Sequence, residues 1–219
     1  MTEDDARAAV VEAVRRLDAL GLNRGSTGNA SHRWDQGGQR GMLITPTGMG
    51  AELTADDLVH VADDGTVSGR WQPSSEWQFH RAAYRARPDV RAVLHTHCVH
   101  ATALACLGRP LPPFHYMVAV AGGDDVPLVP YSTFGSEALS AGVANALAHR
   151  QACLLAHHGL VACGATMAQA MKVMVEVESL CQTYLLALAA GEPARLPPEE
   201  MDRVLDKFRH YGQHSRRVP

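Results

Sequence analysis

Apolar residues recur every three to four positions near the start of the chain, at Val10, Val14, Leu17 and Leu20. That spacing predicts a first amphipathic helix. Thr2 caps it, with Asp5 three residues on in a box arrangement, and Gly21 ends it. A polar stretch, Asn23 to Ser31, leads into a strand near Ala30–Trp34, and Gln36-Gly37-Gly38 makes a turn. Gly41–Thr45 reads as a short strand before the tight turn Thr45-Pro46-Thr47-Gly48. Leu58–Val67 reads as a hairpin around Asp63-Asp64-Gly65. Ser74–Arg87 reads as a helix with Ser75 as N-cap, Gln78 closing a capping box and Pro88 beyond its end.

Val90–His97 is apolar until its polar end and predicts a buried strand. A short helix follows at His100–Leu107, then strands at Tyr116–Ala121 and Val126–Tyr131. Ser136–His149 is a helix and Ala152–His157 a buried strand. Thr166–Ala190 is a long amphipathic helix with Thr166 and Gln169 as its box, and Pro197-Pro198 opens a last helix ending near His210. Strand and helix patterns intermix without a repeat, a low-complexity run or a linker. This predicts a single layered domain of the α/β or α+β class.

Composition narrows the function. The chain has 219 residues, enough for one sizeable core, with a formal net charge of -3 and no long basic block. That makes nucleic acid an unsuitable partner. No apolar run reaches membrane-spanning length. The acidic start, Met1-Thr2-Glu3-Asp4-Asp5, is unlike a signal peptide. The five cysteines, at 98, 106, 153, 163 and 181, form no CxxC pair and point to a reducing, cytoplasmic setting. Two counts stand out: 12 histidines, and two lysines, Lys172 and Lys207.

The sharpest local signal is Leu94-His95-Thr96-His97. On a strand, His95 and His97 fall on one face and can grip one cation. A catalytic zinc commonly takes three protein ligands and keeps an open position. The source of the third is Leu154-Leu155-Ala156-His157-His158-Gly159, another apolar strand ending in histidine. Spacing alone leaves His157 and His158 equivalent. A lone histidine at a strand end is more often structural than a ligand, so the weight rests on the two segments together. The remaining histidines, His80 and His100 among them, read as surface or packing residues. Glu76 taken alone is an acid in a helix's first turn, where the helix dipole favours it. Beside a metal-bound substrate it is a natural general base.

Gly25-Ser26-Thr27-Gly28-Asn29, Thr45-Pro46-Thr47-Gly48 and Ser74-Ser75 each offer backbone N–H groups with hydroxyls or a helix N-terminus. Such segments can bind a phosphate without lysine. Each alone is a weak signal, and none fits a Walker or dinucleotide pattern. Neither lysine has an apolar or cationic setting in sequence that would lower its pKa, which favours a metal route over a Schiff base.

In combination, Gly28-Asn29-Ala30-Ser31, Leu43-Ile44-Thr45-Pro46-Thr47-Gly48, Ser74-Ser75-Glu76, His95-Thr96-His97 and His157-His158-Gly159 resemble the class II aldolase and adducin-head family. The resemblance runs from the first helix to Gly212. His115-Tyr116-Met117, Ala121-Gly122-Gly123, Pro130-Tyr131-Ser132-Thr133-Phe134-Gly135 and Lys207-Phe208-Arg209-His210-Tyr211-Gly212 resemble its fuculose-phosphate branch. Ser26-Thr27 before Gly28, His32 and the Trp34–Arg40 turn depart from that branch.

The resemblance implies an α/β/α domain over residues 1–212, with a mainly antiparallel central sheet between helices, and a basic tail over 213–219. It implies Zn2+ held by His95, His97 and His158, the histidine directly before the glycine, with Glu76 as acid/base and as a further ligand when substrate is absent. Gly28, Asn29, Thr47, Gly48, Ser74 and Ser75 would hold a phosphate, and Phe134 would shape the aldehyde side. Tyr116 and Tyr211 would come from a neighbouring subunit of a cyclic homotetramer. The implied reaction is reversible cleavage of a ketose 1-phosphate, such as L-fuculose 1-phosphate or a related deoxy-ketose 1-phosphate, to dihydroxyacetone phosphate and an aldehyde. Tyr116 would help remove a hydroxyl proton, and Glu76 would protonate the resulting carbon. Rival readings within the family are a pentulose-phosphate 4-epimerase and a methylthioribulose-1-phosphate dehydratase. An adducin-like interaction domain is the rival that is not an enzyme.

Overall fold

The structure, a computed structural model, describes residues 1–35, 37–38 and 40–209. Among the described residues, eight strands form one sheet: β1 (Asn29–Arg33), β2 (Gly41–Ile44), β3 (Val59–Ala62), β4 (Val67–Ser68), β5 (Ala92–Thr96), β6 (Leu128–Val129), β7 (Ala152–Leu155) and β8 (Gly159–Gly164). Their order is β4-β3-β2-β1-β5-β8-β7-β6. Every neighbouring pair is antiparallel except β6 with β7. The described residues also form six α-helices: α1 (Glu3–Ala19), α2 (Trp77–Ala86), α3 (Val99–Cys106), α4 (Glu137–Leu147), α5 (Met167–Leu188) and α6 (Pro198–Arg209).

The strands sort their side chains by the period-two rule. Ala92 and Leu94 of β5, with Leu160 and Ala162 of β8, meet α1, α3 and α5 on one face. Val93, Val161 and Cys163 join the opposite core, beneath α2 and α4. The result is the expected α/β/α domain with a mainly antiparallel sheet. Both faces of the central strands are covered, which explains their near-continuous apolar sequences.

Helix ends follow local chemistry where the sequence is explicit. The Thr2 hydroxyl accepts from Asp5 N at 3.2 Å, and Asp5 Oδ2 accepts from Thr2 N at 2.8 Å. Thr166 accepts from Gln169 N at 3.1 Å, and Gln169 Oε1 accepts from Ala165 N at 3.1 Å. Leu20 leaves the predicted apolar face of α1: it is half exposed, whereas Ala6, Val11 and Ala13 are buried with Val10, Val14 and Leu17.

Four expectations are corrected. First, α2 begins at Trp77, with Glu76 and not Ser75 at its N-cap, and no side chain caps it. Pro73 instead bridges to Pro46, and Ser74 N donates to Thr45 O at 3.0 Å, so this backbone is drawn into extended pairing. Second, Tyr116–Ala121 forms a 3-10 turn, not a strand. It packs on α5 and α6, with the His115 ring accepting from Met117 N and Gly122 closing it at φ 81°. Third, only Leu128–Val129 of Val126–Tyr131 pairs as a strand. Fourth, β8, which the periodicity did not single out, returns from the His157-His158 turn to lie between β7 and β5. All five cysteines are free thiols. Among the described residues, no helix is long and apolar enough to cross a membrane.

Candidate metal centre

β8 explains how two histidine segments far apart in sequence meet. It pairs antiparallel with β5 on one side and β7 on the other. β5 and β7 therefore run the same way and end at the same edge of the sheet. β5 ends in His95-Thr96, with His97 just past it, and the turn after β7 carries His157 and His158. Gly159 is the contact point. A Cβ there would lie 2.4 Å from Thr96 O, 3.1 Å from the His97 ring and 3.2 Å from the His95 ring. Only a residue without a side chain lets the hairpin close against the two histidines.

His95, His97 and His158 converge with Glu76, their candidate ligand atoms all within 4.8 Å of one another. Among the described residues this is the one group of three or more such side chains able to hold a metal ion. The ring centroids are 4.8 to 5.0 Å apart, and His95 Nε2 and His97 Nε2 are separated by 3.1 Å. Glu76 Oε2 is 3.3 Å from His95 Nε2, and Oε1 is 3.1 Å from His158 Nε2. Oε1 is buried, and its contact with His158 Nε2 is not a hydrogen bond.

The donor set fits a divalent cation. His95 Nδ1 lies 3.0 Å from Leu160 O. A carbonyl only accepts, so Nδ1 carries the proton and Nε2 presents a lone pair toward the cluster. Burial pushes His95 down to about 3 and lowers His97 as well, which keeps both rings neutral near pH 7. Burial also works against charge on Glu76. The neighbouring His95 and His158 and the Asn29 amide outweigh it and hold the carboxyl at about 2. A carboxylate oxygen 3.3 Å from the His95 lone pair is an electron-rich contact. A cation reconciles it, and a donor set of three imidazoles and one carboxylate suits zinc.

Thr45 draws the three small polar segments together. Its hydroxyl accepts from Ala30 N at 3.3 Å, its N–H donates to Ala30 O at 3.1 Å, and its carbonyl accepts from Ser74 N at 3.0 Å. Together they border a cavity of about 410 Å³ lined by Ser26, Thr27, Thr47, Gly48, Ser75 and Glu76, with His97, His158 and Phe134 also on its wall. Gly28, Asn29 and Ser74 are not on that wall. Asn29 Nδ2 instead donates to Glu76 Oε2 at 2.9 Å, and the Ser74 hydroxyl accepts from Glu76 N at 3.3 Å. Gly28 is packed so closely that a Cβ would meet Asn23 Oδ1 at 2.5 Å and His95 O at 2.8 Å.

Tyr116 does not reach this cavity within one chain. It is half exposed and lines a separate one of about 590 Å³, with Lys207 and Phe208. Tyr211 lies outside the described residues, as does the tail over 213–219. Lys172 and Lys207 do not line the histidine cavity. Sequence reasoning gave no role of their own to Gly159 or Tyr131; His157, weighed there as a candidate ligand, lines the cavity beside Tyr131 with rings 6.1 Å apart. It passed over His80 too, whose position four residues after Glu76 puts the two on one side of a helical turn.

An α/β/α domain that gathers one glutamate and three histidines beside a polar cavity has a group able to hold a metal ion. The chain belongs to the class II aldolase and adducin N-terminal domain family, whose model matches residues 8–185. A 5-methylthioribulose-1-phosphate/5-deoxyribulose-1-phosphate aldolase of Rhodospirillum rubrum is 48% identical over 210 residues, covering 95% of this chain and 93% of that protein. An L-fuculose phosphate aldolase of Escherichia coli is 48% identical over 205 residues, covering 93% and 94%. A solved L-fuculose 1-phosphate aldolase superposes with a TM-score of 0.89 at 39% identity, covering 95% of this chain and 98% of that one. The chain is a class II aldolase, a lyase, and the reading as an adducin-like interaction domain gives way to that class.

Proposed function

We propose that the chain cleaves a ketose 1-phosphate to dihydroxyacetone phosphate and an aldehyde, reversibly and with zinc as its metal. The observation that carries this reading is the convergence of Glu76, His95, His97 and His158 beside a cavity bordered by small polar loops. The substrates named for the two similar relatives are L-fuculose phosphate and the 5-substituted ribulose 1-phosphates. The substrate class shared by these names is a deoxy or 5-substituted ketose 1-phosphate.

His95, His97 and His158 hold the metal, and Glu76 completes its shell when no substrate is bound. Zinc, once bound, supplies Lewis-acid stabilisation for the negative charge that develops as the carbon–carbon bond breaks. Thr47, Gly48 and Ser75 contact the phosphate from the cavity wall, while Gly28, Asn29 and Ser74 shape the loops behind them. Glu76 carries the proton to and from the carbon of dihydroxyacetone phosphate, using the oxygen that has no hydrogen bond. Phe134 shapes the aldehyde side. Tyr116 and Tyr211 of a neighbouring subunit complete the site in a homotetramer, with Tyr116 assisting removal of the hydroxyl proton. This assignment suits the exposure of Tyr116 and its distance from the cluster in its own chain. A cytoplasmic setting suits five free cysteines, four of them buried.

The test is dihydroxyacetone phosphate release from L-fuculose 1-phosphate and from 5-deoxyribulose 1-phosphate, before and after chelation, with zinc then restored. Release that chelation abolishes and zinc restores is the expected result. A folded, zinc-loaded protein that releases nothing from either sugar would overturn the proposal.

A further inference from the structure

A buried chain of hydrogen bonds runs from Glu76 into the core. Glu76 Oε2 is 2.9 Å from Asn29 Nδ2, Asn29 Oδ1 is 2.6 Å from His80 Nε2, and His80 Nδ1 is 2.7 Å from Ser31 Oγ. Ser31 Oγ is in turn 2.8 Å from the Tyr84 hydroxyl. All five side chains belong to residues no more than 5% exposed. They come from two elements: Asn29 and Ser31 alternate on β1, and His80 and Tyr84 follow Glu76 at four-residue steps along α2.

Chemistry fixes the direction of every link. A carboxylate oxygen only accepts, so the Asn29 amide nitrogen donates to it and the amide oxygen faces His80. That oxygen only accepts, so His80 Nε2 carries the ring proton. His80 Nδ1 is then an acceptor, the Ser31 hydroxyl donates to it, and the Tyr84 hydroxyl donates to Ser31. The Tyr84 hydroxyl lies 3.5 Å from Arg91 O, a longer alternative than its contact with Ser31. His80 also stacks on Phe79 with ring centroids 4.7 Å apart, which holds its plane. Asn29, His80 and Ser31 have no flip, tautomer or rotamer left to choose, and Tyr84 has one longer alternative.

We infer that His80 is a positioning residue for Glu76, acting through Asn29. It locks the Asn29 amide so that its nitrogen, not its oxygen, meets the carboxylate. With Oε2 tethered in this way, Oε1 is the oxygen free to exchange a proton with substrate. The inference rests on the reading of Glu76 as proton carrier. It gives Asn29 a role set by its side chain, apart from any contact its backbone makes with a phosphate. A network that merely satisfied buried polar groups would affect stability. A positioning network affects the proton-transfer rate of correctly folded, metal-loaded protein.

The experiment follows exchange of a carbon-bound hydrogen of dihydroxyacetone phosphate with deuterated solvent, by NMR. The exchange isolates the proton step and needs no aldehyde. His80→Phe keeps the stack on Phe79 and removes both hydrogen bonds. It should slow exchange about 10- to 100-fold, as supporting-shell substitutions do, with KM and zinc content unchanged. His80→Gln, whose amide can both donate and accept, should recover part of the rate. A zinc-loaded His80→Phe protein that exchanges at the wild-type rate would overturn the inference. Should His80→Phe fail to fold, Tyr84→Phe at the far end takes its place. A several-fold slower exchange is expected there, and an unchanged rate overturns the inference. Imidazole nitrogen NMR of the unsubstituted protein gives a readout free of activity: His80 protonated at Nε2 is expected, and protonation at Nδ1 would refute the chain. Glu76→Gln separates the two levels. If it exchanges normally, the underlying reading of Glu76 fails. If it is inert while His80→Phe is normal, only the positioning role fails.

Discussion

Glu76 and Glu178 are both buried glutamates, 5% and 8% exposed, and both sit against histidine. Glu178, on α5, meets His100 at the start of α3. Its Oε1 accepts from His100 N at 2.9 Å and from the His100 ring at 2.8 Å, and its Oε2 accepts from Ala101 N at 2.8 Å. Burial opposes its charge, but these bonds prevail and lower its pKa. Both oxygens are satisfied, and they supply the N-terminal cap that no local side chain gives α3. Glu76 faces three imidazoles yet keeps one oxygen without a hydrogen bond. The lesson is that burial and a histidine neighbour do not by themselves mark a reactive carboxylate. What separates them is saturation: a filled hydrogen-bond shell stabilises the fold, and an unfilled one leaves capacity for a cation or a proton.

The sharpest way to break this comparison is to neutralise each acid in turn. Glu76→Gln keeps shape and removes the base, so kcat should fall about 10²- to 10⁴-fold in a protein that still folds. Cleavage at more than a tenth of the wild-type rate would make Glu76 as structural as Glu178.

A smaller effect is expected where the histidine cluster meets backbone. Gly159→Ala drives a methyl into Thr96 O and toward both strand-end rings. Zinc affinity should weaken about 10- to 100-fold, as for other changes that disturb ligand orientation. Titration with a competing chelator measures it, and wild-type affinity would mean that the turn relaxes freely.

Glu178→Ala is the mildest for chemistry. It strands two helix N–H groups and should cost about 2 kcal/mol of stability, with kcat per folded molecule unchanged. The sign of its pH dependence follows from the lowered pKa. Its stabilisation is complete above the ordinary carboxylate value of about 4.3 and is lost as pH falls through the folded-state value. Melting curves taken down the acid limb should therefore converge for wild type and Glu178→Ala. A gap that stays constant with pH would mean that the Glu178 charge plays no part.

Legibility from sequence varied with how local the cause was. The caps at Thr2 and Thr166 involve residues three apart. Thr2 and Asp5 form the expected box, and Thr166 caps α5 as expected, although Gln169 accepts from Ala165 N and so does not close a box on Thr166. Ser75 and Gln78 have equally good local chemistry for a cap, yet long-range pairing between Pro46 and Pro73 overrides it. Tyr116–Ala121 has strand-like residues but lies against helices, so no ladder forms. At the site, the strand-end histidines and Glu76 could be picked out as residue types able to bind metal. The third histidine could not be chosen by spacing, because the two members of the doublet differ only in where a turn points them. The structure brings His158 to the cluster and leaves His157 on the cavity wall at φ 56°.

The sequence by itself determined the period of each long element, the caps written into neighbouring residues, and the inventory of imidazoles, carboxylates and small polar loops. Those depend on interactions within a few residues or on side-chain chemistry alone. Tertiary structure decided the rest. The insertion of β8 between β5 and β7 brings the histidine segments to one edge, Thr45 joins the loops, and the hydrogen-bonded chain behind Glu76 tethers one of its two oxygens. These are contacts between residues tens of positions apart, and one-dimensional periodicity carries no record of which strands become neighbours.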